Sequence, residues 1–411
     1  MCVTCGLKIE PKVLLSSVCP KGCSSLAKNV FDSRRINFRE LNGIWRYYDW
    51  LPVEETTGYD GKSVTYRSEH LGKELGLKSL FVSFSGYWPE MGAHVKTCTF
   101  KEFEAVVGIQ HAKENGVSPL IVASAGSAAN AFAYIGSLEK FSVVLVAPSR
   151  VTDGLVAPFV DEKFVKTVVV EGEYWDAIST AEKLHCLTGV AYDGGGRSPV
   201  RRDALATIVL EAVEKIGFIP DHYFQAVGSG TGAIAAFDMV ERLRDDGRFG
   251  RLGFKLHLSQ NDPFIPIVKA WKDKRREIRR SDVEAESPLD ILYAKVLSNI
   301  RPLYGMKGGL FDALQATSGE TYAITNKQAE EASEAFERLE GIDIHPAAAV
   351  AVASLIDSVN QGKVGPEETI MLNISGGGLK RAEKEIGLHG LPVTAKVEKE
   401  ASSEELRNII Q

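Results

Sequence analysis

Short apolar runs alternate with amphipathic stretches along most of the sequence, and that alternation restricts the fold more than any other feature. Runs such as SLFVSF (79–84), PLIVAS (119–124), SVVLVAPS (142–149), KTVVVEG (166–172), HYFQAVG (222–228), FKLHLSQ (254–260) and TIMLNISG (369–376) carry polar residues mainly at their ends. That is the pattern of parallel strands covered on both faces. Between them lie helix-like segments such as KEFEAVVGIQHAKENG and AAFDMVERLRDDG. Strand and helix in turn predict an α/β architecture with mostly parallel sheets. Ligands of such sheets bind at the carboxyl ends of the strands. At 411 residues the chain is too long for one core, so two domains are expected. The charged stretch KDKRREIRRSDVEAESP (272–288) reads as a solvated helix and loop.

Three loops rich in glycine or small residues follow strand-like runs: SAGSAAN (124–130), GSGTGA (228–233) and SGGG (375–378). Each precedes a helix-like run. Helix N-termini, with unpaired N–H groups and a positive dipole end, could therefore face one cavity and hold phosphate and carboxylate. Gly228-x-Gly230-x-x-Ala233 formally fits a dinucleotide fingerprint, but the acid at the end of the next strand-like run, Asp262, lies well beyond the spacing of about 20 residues that the ribose would need. No phosphate-binding G-x-x-x-x-G-K-[ST] is present either. A net charge of −6 argues against a nucleic-acid surface, and no apolar run is long enough to span a bilayer. With no apolar leader in MCVTCGLKIE, a cytoplasmic protein is expected.

In KTCTFKEFEA (96–105), Thr99 and Glu102 fit a capping box, which sets Lys101 in the first turn of a helix. A positive helix end disfavours an ammonium there. A neutral amine can attack an aldehyde, as a Schiff-base lysine must, although taken alone this lysine reads more simply as a solvated surface group.

Four of six cysteines lie in the first 23 residues: Cys2, Cys5, Cys19 and Cys23. Two close pairs of this kind resemble a zinc ribbon, and the other reading is four free thiols. Either way the segment is structural, because four thiolates leave no open position for catalysis.

Taken together, T-F-K-E around Lys101, S-A-G-S-A at 124–128, G-S-G-T-G at 228–232 and S-G-G-G at 375–378 resemble the threonine synthase branch of fold-type-II pyridoxal phosphate enzymes. Within that branch the likeness is closer to the cysteate synthases. It is carried by YYDWLPV (47–53), YRSEHLGKELGL (66–77), GYWPEMGAHVKTCTFKEFEA (86–105), GGGRSPVRRDAL (194–205), LHLSQNDPF (256–264), YGMKGGLFDAL (304–314), EGIDIHPAAAVAVASL (340–355) and LNISGGG (372–378). The resemblance implies a tryptophan synthase β-like fold. Two open parallel-sheet domains would flank the active site, with a zinc-ribbon-like segment at 1–35. The large domain would comprise 36–89 and 191–411, and the small domain 90–190.

The resemblance also implies roles. Lys101 would bind pyridoxal phosphate as a Schiff base and act as the catalytic base. Gly228, Ser229, Gly230, Thr231 and Gly232 would cradle its phosphate. Ser375 would face the ring nitrogen, and Ser127 the ring oxygen. Ser124, Ala125, Gly126 and Ala128 would take the substrate carboxylate, with Lys96 and Arg197 among the cations for phosphate and sulfite; Arg201 and Arg202 are further candidates. The reaction would convert O-phospho-L-serine and sulfite to L-cysteate and phosphate, a step of coenzyme M biosynthesis, in a homo-oligomer. The family's carboxylate loop normally reads S-x-G-N-T, whereas here Ser127 stands for the asparagine and Ala128 for the threonine. His345 stands where relatives more often carry an acid. Threonine synthase, another phospho-amino-acid lyase or synthase, and a non-catalytic paralogue remain as rival readings.

Overall fold

The computed structural model describes residues 1–10, 19–250, 253–283 and 291–410. Among these, six strands form one sheet in the order Val64–Arg67, Ser79–Phe84, Thr369–Ile374, His222–Ala226, Lys255–Asn261, Glu320–Ile324. Neighbours run parallel except the first pair, whose register places Val64 opposite Phe84. A second sheet of five parallel strands has the order Ala395–Glu398, Val165–Glu171, Val143–Pro148, Leu120–Ala123, Ala191–Tyr192.

The apolar runs become strands because both sheet faces are covered. Ile370 and Leu372 pack in one core with Ala349 and Val352 of the helix Pro346–Asn360. Met371, between them, joins the core that contains Leu210 and Val213 of the helix Pro199–Ile216. Alternate side chains thus leave opposite faces of the strand, and each meets a helix. Every residue of Val143–Pro148 is buried in the same way.

The division expected from the sequence needs one correction. The resemblance places all of 191–411 in the large domain, yet Ala395–Glu398 pairs in parallel with Val165–Glu171 of the smaller sheet. The helix Ser403–Ile410 follows it there, with Leu406 in the core formed by Val168, Val170 and Leu184. A four-residue edge strand buries too little to announce its sheet in sequence.

Residues 11–18 of the ribbon-like segment lie outside the described residues, as do 284–288 of the charged stretch. The rest of that stretch includes the helix Arg280–Val283, and Arg275 donates to both oxygens of Asp282, at 2.9 and 3.0 Å. At the N-terminus, Cys2 bridges to Ala27 within the segment, and Ser25 bridges to Lys307, which docks the segment on the larger domain. No helix among the described residues is long and apolar enough to cross a membrane.

Candidate active site

Three strands of the large sheet end at the same place. Ser85 follows Ser79–Phe84, Gly228 follows His222–Ala226, and Ser375 follows Thr369–Ile374. Lys101 opens the helix Lys101–Glu114, and its neighbour Phe100 ties the pieces together. The Phe100 N–H donates to Ser375 O at 3.0 Å. A β-carbon on Gly232 would lie 3.1 Å from Phe100 Cε2. Lys101 Nζ sits 4.7 Å from the centre of the Phe100 ring. Lysine, glycine loop and Ser375 turn therefore share one wall.

The expected capping box at Thr99 is not formed. Glu102 instead accepts from Thr97 N at 2.6 Å and Thr97 Oγ1 at 2.7 Å. Cys98 has a positive φ of 58°, and this turn brings Thr97 rather than Thr99 to the carboxylate. Lys101 still occupies the first helical turn. Burial holds its pKa below the ordinary lysine value, against the opposing pull of Glu104.

The loop at 228–232 leads into the helix Thr231–Asp246, with Gly230 left-handed at φ 83°. A long helix beginning at a glycine turn presents unpaired N–H groups to an anion. Ser229 Oγ and Thr231 Oγ1 lie 2.8 Å apart, and Leu303 N donates to Ser229 O at 2.9 Å. Gly228 is pressed against Val296 O, which a β-carbon would approach to 3.1 Å. On the smaller domain, a β-carbon on Gly126 would meet Val296 Cγ1 at 3.7 Å. Val296 thus lies between the loops at 126 and 228, one from each domain.

In the loop at 124–128, Ser124 Oγ accepts from Ala129 N at 3.0 Å and Gly126 N at 3.3 Å, so this hydroxyl shapes its own loop. Ser127 and Ala128 begin the helix Ser127–Leu138, whose first N–H groups have no intrahelical partner. Gly126 precedes this turn, and Ala125 offers only backbone.

The other expected cations divide into two kinds. Arg201 is buried and held by Glu104 and Asp193. Arg202 is buried too, donating to Arg197 O at 2.7 Å, to Gly196 O at 3.0 Å and to Ala27 O. Both side chains are thus fixed by protein groups through Nη1 and Nη2, while the Nε of each is buried without a hydrogen-bond partner. Arg197 is exposed at the end of a turn that abuts the phosphate-type loop: a β-carbon on Gly196 would lie 2.1 Å from Thr231 Oγ1. Lys96 is half-buried five residues before Lys101. His345 caps the helix Pro346–Asn360 and donates its N–H to Gly376 O at 3.0 Å. Burial keeps its imidazole pKa below the usual value.

Buried polar atoms without partners collect here: Ser85 Oγ, Thr99 Oγ1, His345 Nε2 and Asn373 Oδ1. Each belongs to a segment bordering the Ser375 turn. Such atoms are uncommon in a settled core and suit a polar heterocycle held between the domains. The residues present therefore fit pyridoxal phosphate: a half-buried amine, an anion cradle and unpaired polar groups around the Ser375 turn.

The sequence pattern of the pyridoxal-phosphate dependent enzymes matches residues 61–376. Relatives described as cysteate synthase, from Methanocella paludicola and Methanosarcina barkeri, are 44% and 42% identical over 392 and 411 residues. These alignments cover 94% and 99% of this chain and 91% and 98% of the relatives. The chain belongs to the cysteate synthase family of pyridoxal-phosphate dependent enzymes. Members of that family share the fold-type-II architecture with more distant enzymes. Maize serine racemase matches with a TM-score of 0.58 at 12% identity, over 79% of this chain and 91% of its own. A pyridoxal 5'-phosphate-dependent aspartate racemase matches at 0.56 and 15%, over 77% and 90%. At such identities the likeness is one of fold. The cysteate synthase family membership makes this chain an enzyme and pyridoxal phosphate its cofactor.

Sequence reasoning missed Glu104 and Asp193, the partners of Arg201. The signal for Glu104 was its spacing of three from Lys101, which puts both on one helix face.

At the N-terminus, the sulfur atoms of Cys2, Cys5, Cys19 and Cys23 all lie within 4.8 Å of one another. Tetrahedral zinc with bonds of about 2.3 Å needs sulfurs about 3.8 Å apart. Gly6 and Gly22, with φ of 67° and 71°, return their N–H groups to Cys2 O at 3.0 Å and Cys19 O at 2.8 Å. The cluster can thus close around a metal.

Proposed function

We propose that this enzyme replaces the phosphate of O-phospho-L-serine with sulfite, releasing L-cysteate and phosphate. The observation that carries the reading is the meeting of Lys101, Gly232 and the Ser375 turn at Phe100. The name of the full-length relatives supports the choice of product. When bound, pyridoxal phosphate supplies the aldehyde carbon for the substrate amine and a ring that spreads negative charge from Cα.

The chain's own groups do the rest. The N–H groups of Gly228, Ser229, Gly230, Thr231 and Gly232 hold the cofactor phosphate. The Ser375 hydroxyl faces the ring nitrogen as a neutral partner, and Ser127 reaches toward the ring oxygen. Ser124, Ala125, Gly126 and Ala128 orient the substrate carboxylate on the N–H groups of their loop. Lys101, once free, takes the Cα proton onto Nζ, for which a deprotonated amine is needed; burial favours that form. Phosphate leaves from Cβ, and the sulfur of sulfite bonds there in its place. Lys96 and Arg197 face these anions. The four N-terminal cysteines bind one structural zinc. Cysteines without disulfides suit the cytoplasm, where we place the enzyme as a homo-oligomer.

The test is to add O-phosphoserine, with and without sulfite, to the yellow cofactor-loaded protein. A spectral shift on phosphoserine and phosphate release coupled to sulfite are expected. A response to O-phosphohomoserine in place of O-phosphoserine would overturn the reading in favour of threonine synthesis.

A further inference from the structure

The catalytic lysine is not alone in its part of the cleft. Lys101 Nζ lies 3.3 Å from Glu104 Oε2, and the glutamate side chain is wholly buried while the lysine is 21% exposed. The other oxygen, Oε1, accepts from Arg201 Nη2, and Arg201 Nη1 is bound by Asp193. The Arg201 guanidinium in turn lies over the Phe132 ring, 5.3 Å from its centre. Helices Lys101–Glu114, Ser127–Leu138 and Pro199–Ile216 therefore clamp the arginine, and the arginine leaves one carboxylate oxygen of Glu104 for the lysine.

We propose that Glu104 is a positioning residue for the reaction: its carboxylate is the fixed counter-charge that Lys101 Nζ meets whenever that nitrogen carries a proton, with Arg201 and Asp193 holding it in place. The charges make the case. With Lys101 protonated, two cations face two anions and the buried group is neutral. With Lys101 unprotonated, one negative charge is left over on the buried carboxylates of Glu104 and Asp193, which is costly. Burial of Lys101 acts in the opposite sense. The remaining groups facing the quartet are Tyr174 and Tyr192, with Glu182 beside Tyr192; burial pushes the Tyr174 hydroxyl up to about 12 and Tyr192 higher, so both are neutral during turnover. Glu104 is therefore the group that decides how long Lys101 keeps a proton.

This rests on the reading of Lys101 as the cofactor lysine. In that reading the proton leaves substrate Cα, resides on Nζ while phosphate departs and sulfite adds, and returns to Cα. Glu104 accepts no proton; it makes the ammonium tolerable for that interval.

The test is Glu104→Gln, which keeps the shape and removes the charge. In the cofactor-loaded protein, the pH at which the visible band of the lysine-bound cofactor passes from its protonated to its unprotonated form should fall by about one unit or more. The kcat should fall on the order of tenfold or more, with KM for O-phosphoserine nearly unchanged, and Glu104→Asp should recover part of both. If the glutamine variant does not fold, Asp193→Asn carries the same test, with a smaller shift in the same direction. An unchanged midpoint in whichever variant folds, with the band intact, would overturn the proposal alone. No band in the parent protein would overturn the reading of Lys101 and this proposal with it.

Discussion

The N–H of Phe100 donates to the carbonyl of Ser375 at 3.0 Å. This one bond joins the segment before Lys101 to the end of a central strand of the large sheet. Thr99 and Gly376 extend the contact as an antiparallel bridge, and Gly377 N donates to Cys98 O at 3.0 Å. Lys101 is thus fastened to the larger domain by backbone, independent of side-chain identity.

Gly232 cannot carry a side chain without moving its neighbours. A β-carbon there would lie 2.6 Å from Gln225 Nε2, and Gln225 is held by Tyr223 at 2.5 Å and Asn373 at 3.2 Å. Gly232→Ala should cost about 1–3 kcal/mol of stability. It should also weaken cofactor binding by about tenfold, or ~1.4 kcal/mol, as the loop shifts. Thermal unfolding and titration with pyridoxal phosphate measure the two effects.

Two arginines five residues apart should behave in opposite ways. Arg202 serves three carbonyl groups in a buried site, so Arg202→Met should destabilise by about 3 kcal/mol or more. Arg197 is exposed, so Arg197→Ala should alter stability by less than about 0.5 kcal/mol. The same change should raise KM for O-phosphoserine roughly tenfold if this side chain meets the substrate phosphate. Denaturant unfolding and steady-state kinetics separate the two.

The N-terminal cluster should hold one zinc ion per chain, measurable by elemental analysis of the purified protein. Cys5→Ser should lower that content and the unfolding temperature while leaving the visible cofactor band in place. Full folding with no metal bound would assign the cysteines as free thiols.

Acidification should weaken the large sheet. His257 is bonded to His222 and Tyr322, at 2.8 Å each, and stacks on Phe224 at 4.2 Å. Burial drives its pKa down to about 2. Below about pH 6.5 the unfolded chain takes up a proton there that the folded chain refuses, so stability is present above that pH and lost as pH falls. The expected loss is up to about 1.4 kcal/mol per pH unit from this residue. Urea midpoints at pH 7.5 and 5.5 should differ accordingly, and His257→Gln should reduce the difference.

The sequence disclosed the interior of the fold and not its margins. All seven apolar runs correspond to interior strands. The four strands of the two large sheets that went unread, Val64–Arg67, Ala191–Tyr192, Glu320–Ile324 and Ala395–Glu398, are the edges of those sheets. An edge strand has one partner and more solvent, so its residues need not be apolar. The glycine loops were legible because an unpaired helix N-terminus is local chemistry. The bonds of Arg201 to Glu104 and of Arg202 to Ala27 were not, because those partners lie 97 and 175 residues away in sequence. Glu102 deceived for a smaller reason: the turn at Cys98 exchanged Thr99 for Thr97 as its partner.

The most direct measurement is product analysis. Cofactor-loaded enzyme would be mixed with O-phospho-L-serine and sulfite, and L-cysteate and phosphate quantified by mass spectrometry and colorimetry. The account predicts equal amounts of both, with Lys101→Ala slower by roughly 10²–10⁴-fold and lacking the lysine-linked visible band. Phosphate released without cysteate, or an unaffected rate in Lys101→Ala, would contradict it.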